Sequence, residues 1–187
     1  MSERIRESIK QFGKFTEAEI GQILGRLKER MVRSNEILVK EGQLCREFYF
    51  VDEGSFRHYT IRDDGMEATV NLFVEGDWFF DYKSVITQTP SENIIVATEE
   101  SHVFQLDAFG FHELIKLSDA FFKVGRIFEQ AIQNQDYQHN RMSPEEKYAM
   151  LVARRPHVLQ KFPLKHIASY LGVTPETLSR VRRKFIS

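Results

Sequence analysis

The sequence predicts an α+β protein: an N-terminal double-stranded, jelly-roll-like β-roll with flanking helices, then a long helix, then a small C-terminal helix-turn-helix. Three observations predict it. The apolar period is two from Glu36 to about Leu106. It turns helical from Ser118 to about Arg141. Two short helical stripes separated by Gly172 close the chain, within a strongly basic segment. The corresponding units are residues 1–117, 118–142 and 143–187.

Each element has a local cause. Thr16-Glu17-Ala18-Glu19 has the spacing of a capping box, and Ile20, Ile23, Leu24 and Leu27 follow at helical intervals, so a short amphipathic helix opens the fold. Phe48-Tyr49-Phe50-Val51, Phe56 to Ile61 and Thr69 to Phe73 are aromatic and β-branched runs. They are bounded by turn signals at Glu53-Gly54, Asp63-Asp64-Gly65 and Glu75-Gly76-Asp77. Several short strands at this spacing imply a sandwich, barrel or roll.

Ser118-Asp119 reads as a helix start, and Phe121, Val124, Phe128, Ala131, Ile132 and Gln135 form one stripe. That stripe packs on its own domain or forms a seam between two chains. The polar run Gln133 to Asp136 is poor core material and favours the seam, hence a homodimer. Ser143-Pro144-Glu145-Glu146 then restarts a helix with Ser at the cap, proline at the first position and glutamate at the third.

Charge divides the chain the same way. The 187 residues carry a formal net charge of −1, yet from Glu145 onward nine Lys or Arg face three acids, leaving an acidic body with a basic tail. Hydrophobic residues at 42% and charged residues at 28% describe an ordinary globular composition. No apolar run is long enough for a signal peptide or a membrane span, so a cytoplasmic location without membrane association is expected. The single cysteine, Cys45, excludes an intramolecular disulfide and a four-cysteine cluster from one chain.

In the tail, Leu164, Ile167, Ala168 and Leu171 form one apolar face, Gly172 supplies the turn, Thr174 caps and Pro175 opens the next helix, and Leu178 with Val181 forms the facing stripe. A small residue at the crossing, a turn glycine and an apolar closure are the requirements of a helix-turn-helix. Glu176, Ser179 and Arg180 then turn outward, where arginine can pair with guanine and glutamate can accept from the cytosine amino group. Without that frame, the basic run would read as a solvated helix end complementing the helix dipole.

This arrangement resembles the Crp/Fnr family of bacterial transcription regulators over nearly the whole chain. The quoted segments are EFYFVDEGSFRHYTI, then VEGDWF, then Glu176-Thr177-Leu178-Ser179-Arg180, which looks like the family's recognition helix. The resemblance implies a dimer joined by the long helix, double-stranded DNA with an inverted-repeat site, and RNA polymerase as a partner. It implies base contacts from Glu176, Ser179 and Arg180, and phosphate contacts from Thr174, Thr177, Arg182, Arg183 and Lys184.

The family's cyclic-nucleotide binders carry a Gly-Glu pair and an Arg-Ala or Arg-Ser pair around the phosphate. Here Phe80-Asp81 and Ser91-Glu92 stand at those places, and the arginine is absent. Two carboxylates repel a bound phosphate, so a cyclic nucleotide is not expected in the usual manner. Lys83 could substitute for the arginine or simply pair with a neighbour. The candidate effector pocket comprises Phe80, Asp81, Tyr82, Ser91, Glu92, Asn93 and Gln135, with an unknown effector. Haem on His58, His102, His112 or Cys45 is not expected, nor is another cofactor. The segment Ala153 to Pro163 is short for the family's strand insertion, so the reading head looks minimal and relies on packing against the helix from Pro144.

An enzyme is not expected. His58, His102 and His112 lack the spacing of a cupin metal site, and no phosphate loop or nucleophile elbow occurs. The stronger alternative is a β-roll regulatory or protein-interaction module without specific DNA readout.

Overall fold

Two antiparallel sheets form the body of the protein in the computed structural model, which describes residues 2–117 and 142–186. The strands are β1 (Lys28–Val32), β2 (Ile37–Val39), β3 (Glu47–Glu53), β4 (Ser55–Ile61), β5 (Glu67–Val74), β6 (Trp78–Phe79), β7 (Ile94–Ala97) and β8 (Ser101–Asp107). They pair in the orders β1-β8-β3-β6 and β2-β7-β4-β5, the double-stranded roll the sequence implies. The chain changes sheet between β3 and β4 at Gly54. Its φ of +99° suits glycine, and an added Cβ would lie 2.1 Å from Ser101 Oγ.

The roll's aromatic core includes Phe50, Phe56, Phe79 and Phe104. Ahead of it stand α1 (Glu3–Phe12) and α2 (Glu17–Leu24); the latter carries the expected Thr16 capping box. The helix α1 is an addition to the sequence reading. Ser2 caps it, Ile5, Ile9 and Phe12 are buried, and Ser8 accepts from Trp78 Nε1 at 2.8 Å. It therefore covers β3, whose residues Phe48 to Asp52 are all buried instead of alternating.

The roll also begins earlier than Glu36. The first strand, β1, escapes the period-two pattern because only Val32 of its five residues is buried. Two further helices, α3 (Tyr82–Thr87) and α4 (Ala108–Leu117), complete the roll, so helical structure starts ten residues before Ser118. The expected long helix, with Phe121, Val124, Phe128, Ala131, Ile132 and Gln135, lies outside the described residues.

The C-terminal unit contains α5 (Pro144–Arg154), α6 (Pro156–Lys161), α7 (Leu164–Leu171) and α8 (Pro175–Ile186). Both halves of the Ser143 capping box form. The helix α6 occupies the segment that is short for the family's strand insertion. Tyr148, Leu151, Val158, Phe162, Ile167, Ala168, Leu171, Leu178 and Val181 share one apolar cluster, joined by Leu72 and Val74 of β5. The C-terminal unit thus packs on the roll through β5.

Candidate nucleic-acid interface and ligand cassette

Gly172 ends α7 with φ +68° and ψ 33°, the left-handed conformation its sequence position requires. Its neighbour's N–H, on Val173, bonds to the Ala168 carbonyl at 2.9 Å, which closes the turn. Thr174 Oγ1 accepts from the Thr177 N–H at 3.2 Å and caps α8. Ala168, Leu178 and Val181 are buried, whereas Leu164 is half-buried and borders the apolar face. With the stripe inward, Thr174, Glu176, Arg180, Arg182, Arg183 and Lys184 are exposed and Thr177 and Ser179 are half-exposed.

The basic residues do not all face outward alone. Lys184 Nζ bonds Glu145 Oε1 at 2.9 Å, and that contact holds the Glu145 carboxyl below the usual carboxylate range. Lys147 Nζ reaches the Leu171 carbonyl at 3.0 Å and fixes α5 to the end of α7. Tyr148 and Phe185 meet edge to face at 5.1 Å, so α5 holds the C-terminal end of α8.

In the roll, Asp81 caps α3 and is buried, with 1% of its surface exposed. Its carboxylate accepts from the Ser84 N–H at 2.9 Å, the Ser91 hydroxyl at 2.6 Å and Asn93 Nδ2 at 3.0 Å. Burial alone would raise its pKa; the three donors outweigh that and lower it. Asp81 is therefore an internal anion whose carboxylate takes up the Ser84, Ser91 and Asn93 donors. Ser84 Oγ in turn accepts from the Cys45 N–H and donates to the Thr89 carbonyl.

His58 of β4 lies beside this cluster, 4.0 Å from Asp81 Oδ2, with 1% exposure. Neither ring nitrogen has a hydrogen-bond partner. Burial, partly offset by the Asp81 charge, pushes its pKa down to about 4, so the ring is neutral at pH 7. The β4–β5 ladder has a bulge immediately after His58, a feature that re-aims side chains.

Of the expected pocket residues, the structure brings Asp81, Ser91 and Asn93 into one bonded cluster and buries Phe80 against Phe48, ring centroids 4.9 Å apart. Tyr82 is half-buried. Glu92 is exposed and pairs with Lys83 at 2.6 Å, which assigns Lys83 the pairing role. Gln135 lies outside the described residues. His102 bonds Asp52 at 3.1 Å, and no group of three or more His, Cys, Asp or Glu among the described residues is arranged as metal ligands. No helix among the described residues is long and apolar enough to cross a membrane.

Sequence reasoning missed Ser84, although Asp-x-x-Ser at 81–84 is a readable cap. It also missed Arg155, Lys161 and Ser169, whose partners lie 62 to 100 residues away in the chain.

Residues 29–118 match the family model of the cyclic nucleotide-binding domain. The anaerobic regulatory protein of Haemophilus influenzae is 24% identical over 174 aligned residues, covering 84% of this chain and 66% of that protein. The potassium channel KOR1 of Oryza sativa is 28% identical over 120 residues. That alignment covers 64% of this chain but only 14% of the channel. In structure, FixK2 from Bradyrhizobium japonicum superposes with a TM-score of 0.72 at 18% identity, over 84% of this chain and 83% of that one.

Proposed function

We propose that the chain, whose residues 29–118 match the cyclic nucleotide-binding domain model and whose fold is that of FixK2, is a homodimeric, sequence-specific DNA-binding regulator. Its roll answers a small effector other than a cyclic nucleotide bound in the usual manner. The observation that carries the DNA reading is the uncharged frame around Gly172. A left-handed turn, the Thr174 cap and the buried Leu178 and Val181 leave Glu176, Ser179 and Arg180 on one outward face. On that face Arg180 and Glu176 read base edges, while Thr174, Thr177, Arg182 and Arg183 hold phosphates. Lys184 joins them by exchanging Glu145 for a phosphate oxygen.

For the effector, Asp81 already supplies the negative charge at the cassette. A second anion there meets a buried carboxylate and a neutral imidazole, and Ser91-Glu92 stands where the family's binders carry an arginine. The ligand class that suits Asp81 and His58 is a neutral or cationic molecule with hydrogen-bond donors. Phe80 packs on Phe48, and Phe48 on Phe111 of α4 at 5.2 Å, so a shift at the cassette reaches the first turn of α4 through packed rings.

Selection of bound duplexes from a randomised pool, followed by anisotropy titration across a salt series, tests the DNA reading. A preferred inverted repeat that keeps its advantage as salt rises is the expected result. Binding that falls equally for all sequences would leave only a charged surface.

A further inference from the structure

The reading head does not close its core with its own helices. Leu72 and Val74 of β5, 0% and 6% exposed, complete the cluster built by α5 to α8. The strand β5 is the outer strand of its sheet, hydrogen-bonded to β4 on one side. Its other edge carries backbone groups that need partners. Side chains of the head supply them: the Thr69 N–H donates to Ser169 Oγ at 2.9 Å, and the Leu72 carbonyl accepts from Arg155 Nη2 at 2.6 Å.

Arg155 does more than cap an edge. The same Nη2 lies 2.6 Å from Asp77 Oδ2, Nη1 reaches Asn71 Oδ1 at 3.4 Å, and the side chain is 21% exposed. Arg155 is also the residue between α5 and α6, with φ −140° and ψ 55°, so wherever its guanidinium is held, both helices are placed.

On the roll side its partners border the cassette. Asn71 stands opposite His58 in the β4–β5 ladder, and Asp77 lies four residues before Asp81. Asp77 also accepts from the Val74 N–H, and its own carbonyl accepts from the Val51 N–H, which ties the turn to the roll core. A second contact, Lys161 with Glu75 at 2.8 Å and Glu99 at 2.9 Å, is more exposed and accordingly weaker.

We infer that Arg155 is a positioning residue for DNA readout: its bonds to Asp77, Asn71 and the Leu72 carbonyl set the orientation of the recognition helix. Through them, the state of the Asp81–His58 cassette reaches that helix along β5. The inference rests on the DNA-reading proposal for its consequence, but the docking it describes is measurable without DNA.

Amide hydrogen exchange at Thr69 and Leu72, with β8 as internal reference, reads the docking in the full chain. Arg155→Met is expected to speed exchange at Thr69 at least tenfold while Val103 and Phe104 stay protected. Arg155→Lys, which keeps the charge and loses the fork, falls between. Asp81→Asn, which disturbs the cassette, is expected to change Thr69 exchange in the parent but not in the Arg155→Met background. Affinity for the selected duplex should show the same non-additivity, with at least a fivefold change in the parent. A purely structural Arg155 would give additive effects, and that result, or unchanged Thr69 exchange in Arg155→Met, overturns the inference. If Arg155→Met does not fold, Asp77→Asn and Arg155→Lys carry the same readouts. If selection recovers no preferred duplex, the DNA reading fails, and the exchange data still decide the docking.

Discussion

At the scale of single residues, the unusual chemistry lies in two side chains. Asp81 is a buried carboxylate with three donors, and His58 is a buried imidazole with none. Their titrations act in the same direction. The unfolded chain protonates His58 as pH falls through 6.5, whereas the folded chain resists until about 4, so stability declines across that interval. His166, held down to about 4 by burial with Arg57 and Lys165 nearby, adds to the decline. Asp81, with its lowered pKa, contributes stability that is lost only as pH falls further. Urea unfolding at pH 7 and pH 4.5 should therefore show a fall that His58→Phe reduces by about 1 to 3 kcal/mol. Parallel pH profiles for parent and variant would contradict the assignment.

At the scale of elements, β5 serves two cores, and its apolar residues differ in allegiance. Phe73 faces the roll aromatics, stacked 5.0 Å from Phe79, while Leu72 and Val74 face the head. Leu72→Ala is expected to cost about 2 to 5 kcal/mol, the range for a buried leucine truncated in a packed site. The loss should appear in Tyr148 and Leu151 protection sooner than in Val103, which amide exchange resolves. If every amide weakened equally, the head would have no separate opening through β5.

Elements with a purely local cause were legible. The Thr16 and Ser143 capping boxes, the turns at Gly54, Gly65 and Gly76, and the left-handed Gly172 follow from side chains within a few residues. The strand β1 was not legible because it exposes most of its side chains, and α4 was not because it follows β8 without a break, Asp107 capping it from the strand's last position. In the cassette, the missing arginine was plain from the sequence, and so was the presence of Asp81 and Ser91. That Asp81 would be bonded by both Ser91 and Asn93 depends on two loops meeting, which no periodicity encodes.

At the scale of the whole molecule, the division into an acidic body and a basic tail becomes physical contact. Arg155 and Lys161 of the tail meet Asp77, Glu75 and Glu99 of the body. Helix α5 begins at Pro144, and the apolar core of the tail takes in Leu72 and Val74 of β5. In the proposed function, the charges on the outer face of α8 are the ones that meet DNA. Replacing Arg182 by alanine should weaken binding to all duplexes alike and reduce the slope of log affinity against log salt by about one. A variant with an unchanged slope would remove Arg182 from the phosphate contacts.

The central claim is that the face built by Gly172, Leu178 and Val181 presents Arg180 to a base. Arg180→Ala, titrated against the selected inverted repeat and against copies changed at one base pair, measures this directly. The expected result is a loss of about 1 to 3 kcal/mol of discrimination confined to one position in each half-site, with the salt slope nearly unchanged. Full retention of sequence preference in Arg180→Ala would contradict the account.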